Sequence, residues 1–369
     1  MNQLFRWDQT GLFLLALAAG ILPFAVPEVC AAALREGLTL CSGPLLLSLF
    51  PFLVVSRLLV QCPESDLLAM PFRLAAWGIG IRTPCAARVL CIGFLGGFAP
   101  AASAAAQAVR TGQLTAEEAD ALLPACICSG PSFVVLTVGQ SLLGSAELGV
   151  LLFASQITAN YLTAALLNRF AGMHSVKPGS AAPASPAPPR LDEILADAAI
   201  TYCKLCGFIL FFRMLAAGAG ALLPAGAGTL CSILLEVCSG CDLASRTGRW
   251  GSLLCCAALS VQGLSVLLQV RTICPPEMTL RPLYRARMLH LPLSLALFYL
   301  LLPGGEADVF STLPARVLLM RRVPPDCALL VFAVCCMAAC TLRSGIRQVE
   351  QKQMARNAGG CCINSKTLL

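Results

Sequence analysis

The sequence predicts an all-α polytopic membrane protein built from two weakly similar halves, which we expect to be inverted relative to each other. Of its 369 residues, 57% are hydrophobic and only 12% are charged, about half the charged share of an ordinary soluble domain. The mean hydropathy is +0.79, and the apolar residues suffice for roughly eight to ten membrane segments of about 20 residues each. A soluble globule is excluded because so few charges could not cover its surface. A disordered chain is excluded because such chains are far more polar.

The charge pattern indicates a lipid bilayer, and not a nucleic acid, as the chain's partner. The formal net charge is +7, but basic residues stand singly between apolar runs, as is typical of membrane topology. The tail 343–369 carries five basic residues against one glutamate, which predicts a cytoplasmic location. These five are Arg343, Arg347, Lys352, Arg356 and Lys366.

The 21 cysteines lie almost entirely inside apolar stretches, where free cysteine behaves as a small hydrophobe. Two pairs have CxxC spacing, Cys203–Cys206 and Cys238–Cys241, and leave a membrane thiol-redox centre open as an alternative. A zinc site is disfavoured because His174 and His290 are remote in sequence. We therefore expect no metal, no cofactor and no enzymatic activity.

The N-terminal transmembrane half, 1–171, opens with apolar runs at 11–26 and 38–60 that predict two spans. The alternative for the first run is a cleaved signal peptide, but little positive charge precedes it and another apolar run follows at once. The shorter run 67–81 contains an arginine and ends in glycines, which favours an interfacial or partly inserted helix.

Residues 89–144 are apolar but repeatedly interrupted by glycine and proline, and a polar stretch lies in their middle. Thr115 and Glu118 have the spacing of a capping box, so a new helix should begin at Ala116. A clear span is predicted at 148–170. Its polar side chains should face the helix bundle, because they would be costly against lipid; they are Ser155, Gln156, Thr158, Asn160 and Tyr161.

The Pro-, Ala- and Ser-rich segment 172–190 predicts an extended linker between the halves. The C-terminal transmembrane half, 191–342, starts with a predicted helix at 191–223, whose early acidic residues suit a helix N-terminus. A second interrupted segment follows at 230–271. Later spans are predicted at 289–302 and 328–342.

Two interrupted segments in corresponding places are the sequence pattern of a transporter built from repeats. Backbone that leaves a helix inside a bilayer is tolerated only where it is buried in protein or lines a wet cavity. The predicted breaks are Gly97 and Gly130 in the first half and Gly240 and Gly263 in the second. The alternative is that these glycines merely permit close helix packing.

The candidate substrate-binding residues surround these breaks, where the positive ends of half-helices would favour a small anion. Glu236 is the ionisable group nearest to a break. It would bind a cation, carry a proton or hydrogen-bond a substrate, unless it is an ordinary helix-end residue. For the serines and glutamines the alternative is ordinary interhelical hydrogen bonding. The set comprises Gly96, Gly97, Pro100, Ser129, Gly130, Pro131, Ser132, Glu236, Ser239, Gly240, Gln262, Gly263 and Gln269.

The motifs at 93–97, 110–119, 129–133, 236–240 and 260–266 together resemble those of the nucleoside-recognition Gate domain. More narrowly, they are similar to those of the sporulation integral membrane protein YlbJ family. The resemblance implies a fold related to concentrative nucleoside transporters. It also implies export of dipicolinic acid from the mother cell toward the forespore during endospore formation.

We therefore expect an integral, multi-pass transporter of a small organic anion in the cell membrane, specifically the outer forespore membrane if the resemblance holds. The alternatives are a transporter of nucleosides or other small metabolites and a non-transporting sporulation membrane protein. Association into a homo-oligomer stays open. An intramembrane enzyme is disfavoured because the sequence has no HExxH motif, and Cys128-Ser129-Gly130 lacks the first glycine of a GxSG motif.

Overall fold

The computed structural model describes residues 9–61, 65–170 and 191–302, and in these ranges the regular elements are all helices. The described part contains four helical stretches long and apolar enough to cross a membrane: Pro27–Leu47, Ala146–Phe170, Leu191–Leu222 and Gly248–Ile273. The first and the last of them contain a local interruption, at Gly43 and at Gln262. The predicted class of all-α membrane protein is thus confirmed for the described residues.

Three predictions fall outside the described residues. They concern the linker 172–190, the last span 328–342 and the basic tail 343–369. The number of membrane segments also stays a prediction.

Five helices precede the first interrupted segment: α1 (Gln9–Ala25), α2 (Pro27–Ser42), α3 (Pro44–Gln61), α4 (Ser65–Leu68) and α5 (Met70–Gly78). The prediction of one span over 38–60 is wrong. Gly43 has φ −114° and ψ −105°, which is not helical, and α3 starts at Pro44, where a missing N–H costs no helical hydrogen bond. The helix α2 instead covers the acidic and basic residues that separate the two apolar runs.

The short helix α5 is amphipathic. Met70, Leu74 and Trp77 are exposed on one side, whereas Ala76 is buried on the other. This spacing of apolar residues is that of one helix face. An interfacial position for α5 remains a prediction.

Helices α6 (Pro84–Gly96) and α7 (Phe98–Arg110) double back on each other at Gly97 and are called hairpin 1. Arg88, near the start of α6, donates from Nη1 to Oε1 of Gln113, just beyond the end of α7, at 3.4 Å. A continuous helix would separate these positions by roughly 37 Å. The chain therefore enters and leaves hairpin 1 on the same side.

Next come α8 (Ala116–Cys126), a π-helix (Ser132–Leu142) and α9 (Ala146–Phe170). The predicted capping box is confirmed. Thr115 Oγ1 accepts from the Glu118 N–H at 3.1 Å, and Glu118 Oε2 accepts from the Thr115 N–H at 3.0 Å. A reciprocal pair of bonds of this kind fixes where α8 begins.

Helix α8 and the π-helix form one interrupted element, called split span 1, which runs antiparallel to α9. The paired positions, in order along α9, are Gly149 with Gly139, Asn160 with Ile127, and Asn168 with Ala121. As predicted for α9, Ser155, Gln156 and Asn160 are buried, and the half-buried Tyr161 donates its hydroxyl to the Ala75 O at 2.8 Å. Thr158 is exposed, so the prediction is wrong there.

The second half opens with α10 (Leu191–Leu222), confirming the predicted helix, followed by α11 (Ala225–Leu235) and α12 (Val237–Ser245). The last two fold back on each other and are called hairpin 2. A Cβ added to Gly228, at the start of α11, would lie 3.1 Å from the Gly220 Cα of α10, and one added to Gly220 would lie 3.7 Å from Leu243 Cδ1, near the end of α12. The two arms of hairpin 2 therefore share one base.

Helices α13 (Gly251–Val261) and α14 (Gly263–Ile273) are called split span 2, and α15 (Arg281–Leu301) follows. Each half thus repeats one order: a long helix, a hairpin, a split span and a second long helix. The contacts repeat as well, because α7 packs on α14 and α12 packs on the π-helix.

The equivalent long helices of the two halves run antiparallel. Between α3 and α10, Phe50 packs edge-on against Tyr202, and further along Arg57 pairs with Asp197. Between α9 and α15, Asn160 bonds Arg287 and Gln156 bonds His290. The buried positions of the central helices carry many small residues, notably in α7, where seven of 13 residues are alanine. Small side chains let the helical backbones approach closely.

Candidate functional site

The tip of hairpin 1 crosses split span 1 through backbone alone. Gly97 has φ +80°, and a Cβ added to it would lie 2.6 Å from the Gly130 N. One turn earlier, a Cβ on Gly93 would lie 3.0 Å from the Cys126 O. No side chain fits between the two segments, so glycine is required for the approach as well as for the backbone angle.

The other predicted residues of the first half lie at this same crossing. Gly96 and Pro100 are buried against each other, and a Cβ on Gly96 would lie 3.0 Å from the Pro100 Cβ. Ser129 is buried in the non-helical stretch, and Pro131 and Ser132 are half-buried where the π-helix begins. The structure therefore brings all seven first-half candidates together.

The tip of hairpin 2 crosses split span 2 with a polar side chain in place. Glu236 is only 2% exposed, and its extended backbone ends α11. Its carboxylate accepts from the N–H groups of Cys238 at 2.9 Å and Ser239 at 2.7 Å. It therefore caps α12, satisfying helix-terminal donors.

Split span 2 is interrupted at Gln262, which has the left-handed φ of +66°. Gly263 has φ +71°, and a Cβ on it would lie 3.0 Å from both the Glu236 N and the Leu235 O. The amide of Gln262 donates from Nε2 to the Leu259 O at 2.9 Å. Its Oε1 is buried without a partner among the described residues.

The prediction that Gly240 breaks the second half is wrong. Gly240 lies inside α12, where a Cβ on it would meet the Ile233 Cα at 2.8 Å. The interruption occurs four residues earlier because the Glu236 side chain caps the new helix. Gly240 instead permits the two arms of hairpin 2 to pack closely.

A buried arginine that the sequence analysis missed connects the two split spans. Arg287 of α15 donates from Nη2 to the Ile127 O at 2.8 Å and to Asn160 Oδ1 at 3.2 Å, and from Nη1 to the Ser260 O at 3.4 Å. These carbonyls lie at the C-terminal ends of α8 and α13, where helix dipoles favour a cation. Arg287 thus joins both interruptions.

A polar network adjoins Arg287 on the same face of α15. His290 bonds the Gln156 O at 3.2 Å, and the Gln156 amide donates to Ser260 Oγ at 3.0 Å. Ser260 in turn bonds Ser294. The i, i+3 spacing of an arginine and a histidine in an apolar helix is the sequence signal that could have found this network.

A basic cavity of about 160 Å³ lies between α3, α7, α10 and α14. Its charged lining comprises Arg57, Arg110, Lys204 and Asp197, and Gln269 also lines it. Asp197 is paired with Arg57. The Oε1 of Gln269 and the Nε of Arg57 are buried without hydrogen-bond partners in the described part of the chain. Of the predicted site residues, Gln269 lies at this cavity.

The cysteines with CxxC spacing lie on single helices, Cys203–Cys206 on α10 and Cys238–Cys241 on α12. Cys241 lies near Cys255, whose Sγ is 3.4 Å from the Cys241 O. Among the described residues, no group of three or more His, Cys, Asp or Glu side chains is placed to hold a metal ion.

The fold and site define a class, an all-helical membrane protein in which two hairpins cross two split spans. Comparison with protein-family models, with curated proteins and with solved structures found no match for the chain. The similarity to the YlbJ family therefore stays a prediction from the motifs.

Proposed function

We propose that the protein is a membrane transporter of small organic anions. The observation that carries this proposal is the pairing of each hairpin tip with the interruption of a split span, at Gly97 with Gly130 and at Glu236 with Gly263. Non-helical backbone at such depth is costly unless it serves a polar path. Paired discontinuous helices at the centre of two repeats are a recurring arrangement of secondary transporters.

Inversion of the two halves is part of the proposal. In the first half α3, split span 1 and α9 would each cross the bilayer, whereas hairpin 1 would return to its own side. This is an odd number of crossings, so the second half would begin on the opposite side. The antiparallel pairing of α3 with α10 and of α9 with α15 supports this topology.

The base of hairpin 1 would face the cytoplasm. Most basic residues at helix ends lie on its side, as the positive-inside rule requires of cytoplasmic segments. They are Arg82, Arg110, Arg169, Arg271, Arg281 and Arg285, against Arg246 and Arg249 at the base of hairpin 2. The basic cavity would then open toward the cytoplasm, in a multi-pass protein of the cell membrane.

Two features favour an anion over a nucleoside. The first is charge: three of the four charged groups lining the cavity are cations, and Arg287 is a further buried cation. The second is size, since about 160 Å³ is well below the roughly 300–1,000 Å³ of pockets for drug-sized ligands. Dipicolinic acid, which the YlbJ resemblance implies, is a compact dicarboxylate that fits this charge.

The test is flux into phosphatidylcholine liposomes that contain the purified full-length protein. Labelled dipicolinate and another compact dicarboxylate should accumulate, and labelled uridine should not. Gln269→Met keeps the side-chain volume but removes the amide, and should lower dicarboxylate flux about tenfold at unchanged abundance, the loss expected for about 1.4 kcal/mol of binding. Gln140→Met is the matched control, because Gln140 is exposed on the π-helix.

The outcomes separate the alternatives. Uridine flux without dicarboxylate flux would favour the nucleoside transporter. Absence of flux for every substrate, by protein that is folded and inserted, would contradict a transport function and leave the non-transporting sporulation protein. Equal loss in the Gln269 and Gln140 variants would remove the cavity from the pathway.

A further inference from the structure

The basic cavity is lined by one carboxylate, that of Asp197, which forms an ion pair with Arg57, the most buried of the three cations in the lining. Arg57 lies in α3 and its side chain is 10% exposed, whereas the side chain of Asp197 in α10 is 59% exposed. If this pair breaks, water can solvate the exposed aspartate, whereas the largely buried arginine is left without a counter-charge unless another anion replaces Asp197.

The remaining lining groups leave room for a second anion. Lys204 lies on α10 and Arg110 at the end of α7, both exposed at the cavity mouth. Within the described ranges, Arg110 makes a long bond, 3.5 Å, to the Ile273 O. Arg57 also lines the cavity, and its Nε is fully buried and has no acceptor among the described residues. A buried guanidinium N–H without an acceptor is costly, and an oxyanion would supply one.

We propose that Asp197 is a displaceable internal occupant of an oxyanion site, and that an incoming carboxylate or phosphate replaces it on Arg57. The proposal rests on the proposed function for its biological role, but the binding event itself does not require transport. In the empty state Asp197 neutralises Arg57. In the occupied state the ligand bonds Arg57, Arg110 and Lys204, and Asp197 swings toward solvent.

Displacement of Asp197 by the ligand predicts an effect on anion binding opposite to that of mutating an ordinary binding residue. Removing the charge of Asp197 should strengthen anion binding, because the ligand no longer competes with a resident carboxylate. A structural ion pair between α3 and α10 would instead give weaker binding and lower stability on the same change.

The test measures binding of inorganic phosphate and of succinate to the full-length protein in phosphatidylcholine nanodiscs by calorimetry. Asp197→Asn should lower Kd about fivefold to tenfold, the range expected when a pair worth about 1 kcal/mol is removed. Arg57→Gln should abolish binding. Glu36→Gln is the matched control, since Glu36 forms the corresponding pair with Arg213 at 2.7 Å between α2 and α10, and Kd should not change.

Unchanged or weaker binding by Asp197→Asn would overturn the proposal, as would an equal gain in Glu36→Gln. Stabilisation by phosphatidylglycerol nanodiscs, with no binding of free anions by wild type or Asp197→Asn, would assign the cavity to lipid headgroups and also overturn it. Anion binding without flux in liposomes would uphold the proposal and contradict the transport function. Flux in liposomes without stronger anion binding by Asp197→Asn would support the transport function and overturn the proposal of a displaceable Asp197.

Discussion

The two crossings have the same geometry but different chemistry. At the first, Gly97 and Gly130 meet through backbone. At the second, Glu236 caps a half-helix with its carboxylate, and Gln262 holds a left-handed turn. The first crossing therefore depends on the absence of side chains, and the second depends on the hydrogen bonds that side chains make. Steric substitutions should damage the first crossing most, and substitutions that remove hydrogen bonds should damage the second.

Removing Arg287 should have the largest effect, because it serves both interruptions. Arg287→Leu would leave the carbonyls of Ile127 and Ser260 without this donor, and we expect a loss of about 3 kcal/mol or more in unfolding free energy. Thermal unfolding and membrane abundance measure it. Arg285→Leu is the control, since Arg285 is exposed on the same helix. Equal losses in both variants would mean that Arg287 does not join the split spans.

The steric nature of the first crossing is tested by Gly97→Ala. We expect a loss clearly larger than the roughly 1–2 kcal/mol of an ordinary left-handed residue. The new methyl group would meet the Gly130 N at 2.6 Å, and Gly97 has φ +80° and ψ −164°, backbone angles that glycine alone adopts readily. Gly144→Ala gives the cost of a positive φ without a close neighbour. Gly144 has φ +74° and nothing within 4 Å of an added Cβ. A melting temperature for Gly97→Ala as high as that for Gly144→Ala would contradict the close approach.

The second crossing should respond to the loss of its cap. Glu236→Ala removes the acceptor of two N–H groups and should cost about 1–2 kcal/mol. Glu147→Ala, in the exposed first turn of α9, should cost no more than about 0.5 kcal/mol through the helix dipole. Denaturant or thermal unfolding of both variants decides. If the two losses are the same, the carboxylate of Glu236 is not acting as a cap.

Gln262→Gly should have the smallest effect on stability and a larger one on transport. Glycine adopts a φ of +66° without strain, which offsets the lost bond to the Leu259 O, so unfolding free energy should stay within about 1 kcal/mol. Strain that persists at a buried polar residue is often tied to function. We expect dicarboxylate flux to fall while abundance is preserved. Normal flux would make Gln262 a structural residue only.

The sequence predicted where helices are interrupted better than it predicted which side chains contact each other across the fold. The breaks at Gly97 and at 262–263 follow from local backbone preference, and the start of α8 follows from a capping box within four residues. The prediction of a break at Gly240 was wrong because a glycine in an apolar run is as typical of close helix packing as of a helix break. The actual break uses the long Glu236 side chain as a cap, a role more common for shorter residues.

The site's long-range partners could not be read from local patterns. Arg287 bonds a carbonyl 160 residues away, and Arg57 pairs with Asp197 across 140 residues. Each of these residues looks, in sequence, like an ordinary charge beside an apolar run. Of the residues that line the cavity, Arg110 belongs to the motif 110–119, and Gln269 was a predicted site residue. The cavity depends on four helices from both halves, so its charge balance emerges only from their packing.

The relation between the two crossings is tested most directly by membrane sidedness. A short epitope is inserted after Gly112, at the base of hairpin 1, or after Gly248, at the base of hairpin 2. Both glycines are exposed, Gly112 in a turn and Gly248 at the start of a three-residue 3₁₀ helix. Antibody access is then compared in sealed vesicles of known orientation, for variants with normal abundance. Inverted halves predict that the two epitopes are reached from opposite sides, with the one after Gly112 cytoplasmic. Access to both epitopes from the same side would contradict the inverted arrangement on which the proposed transport path depends.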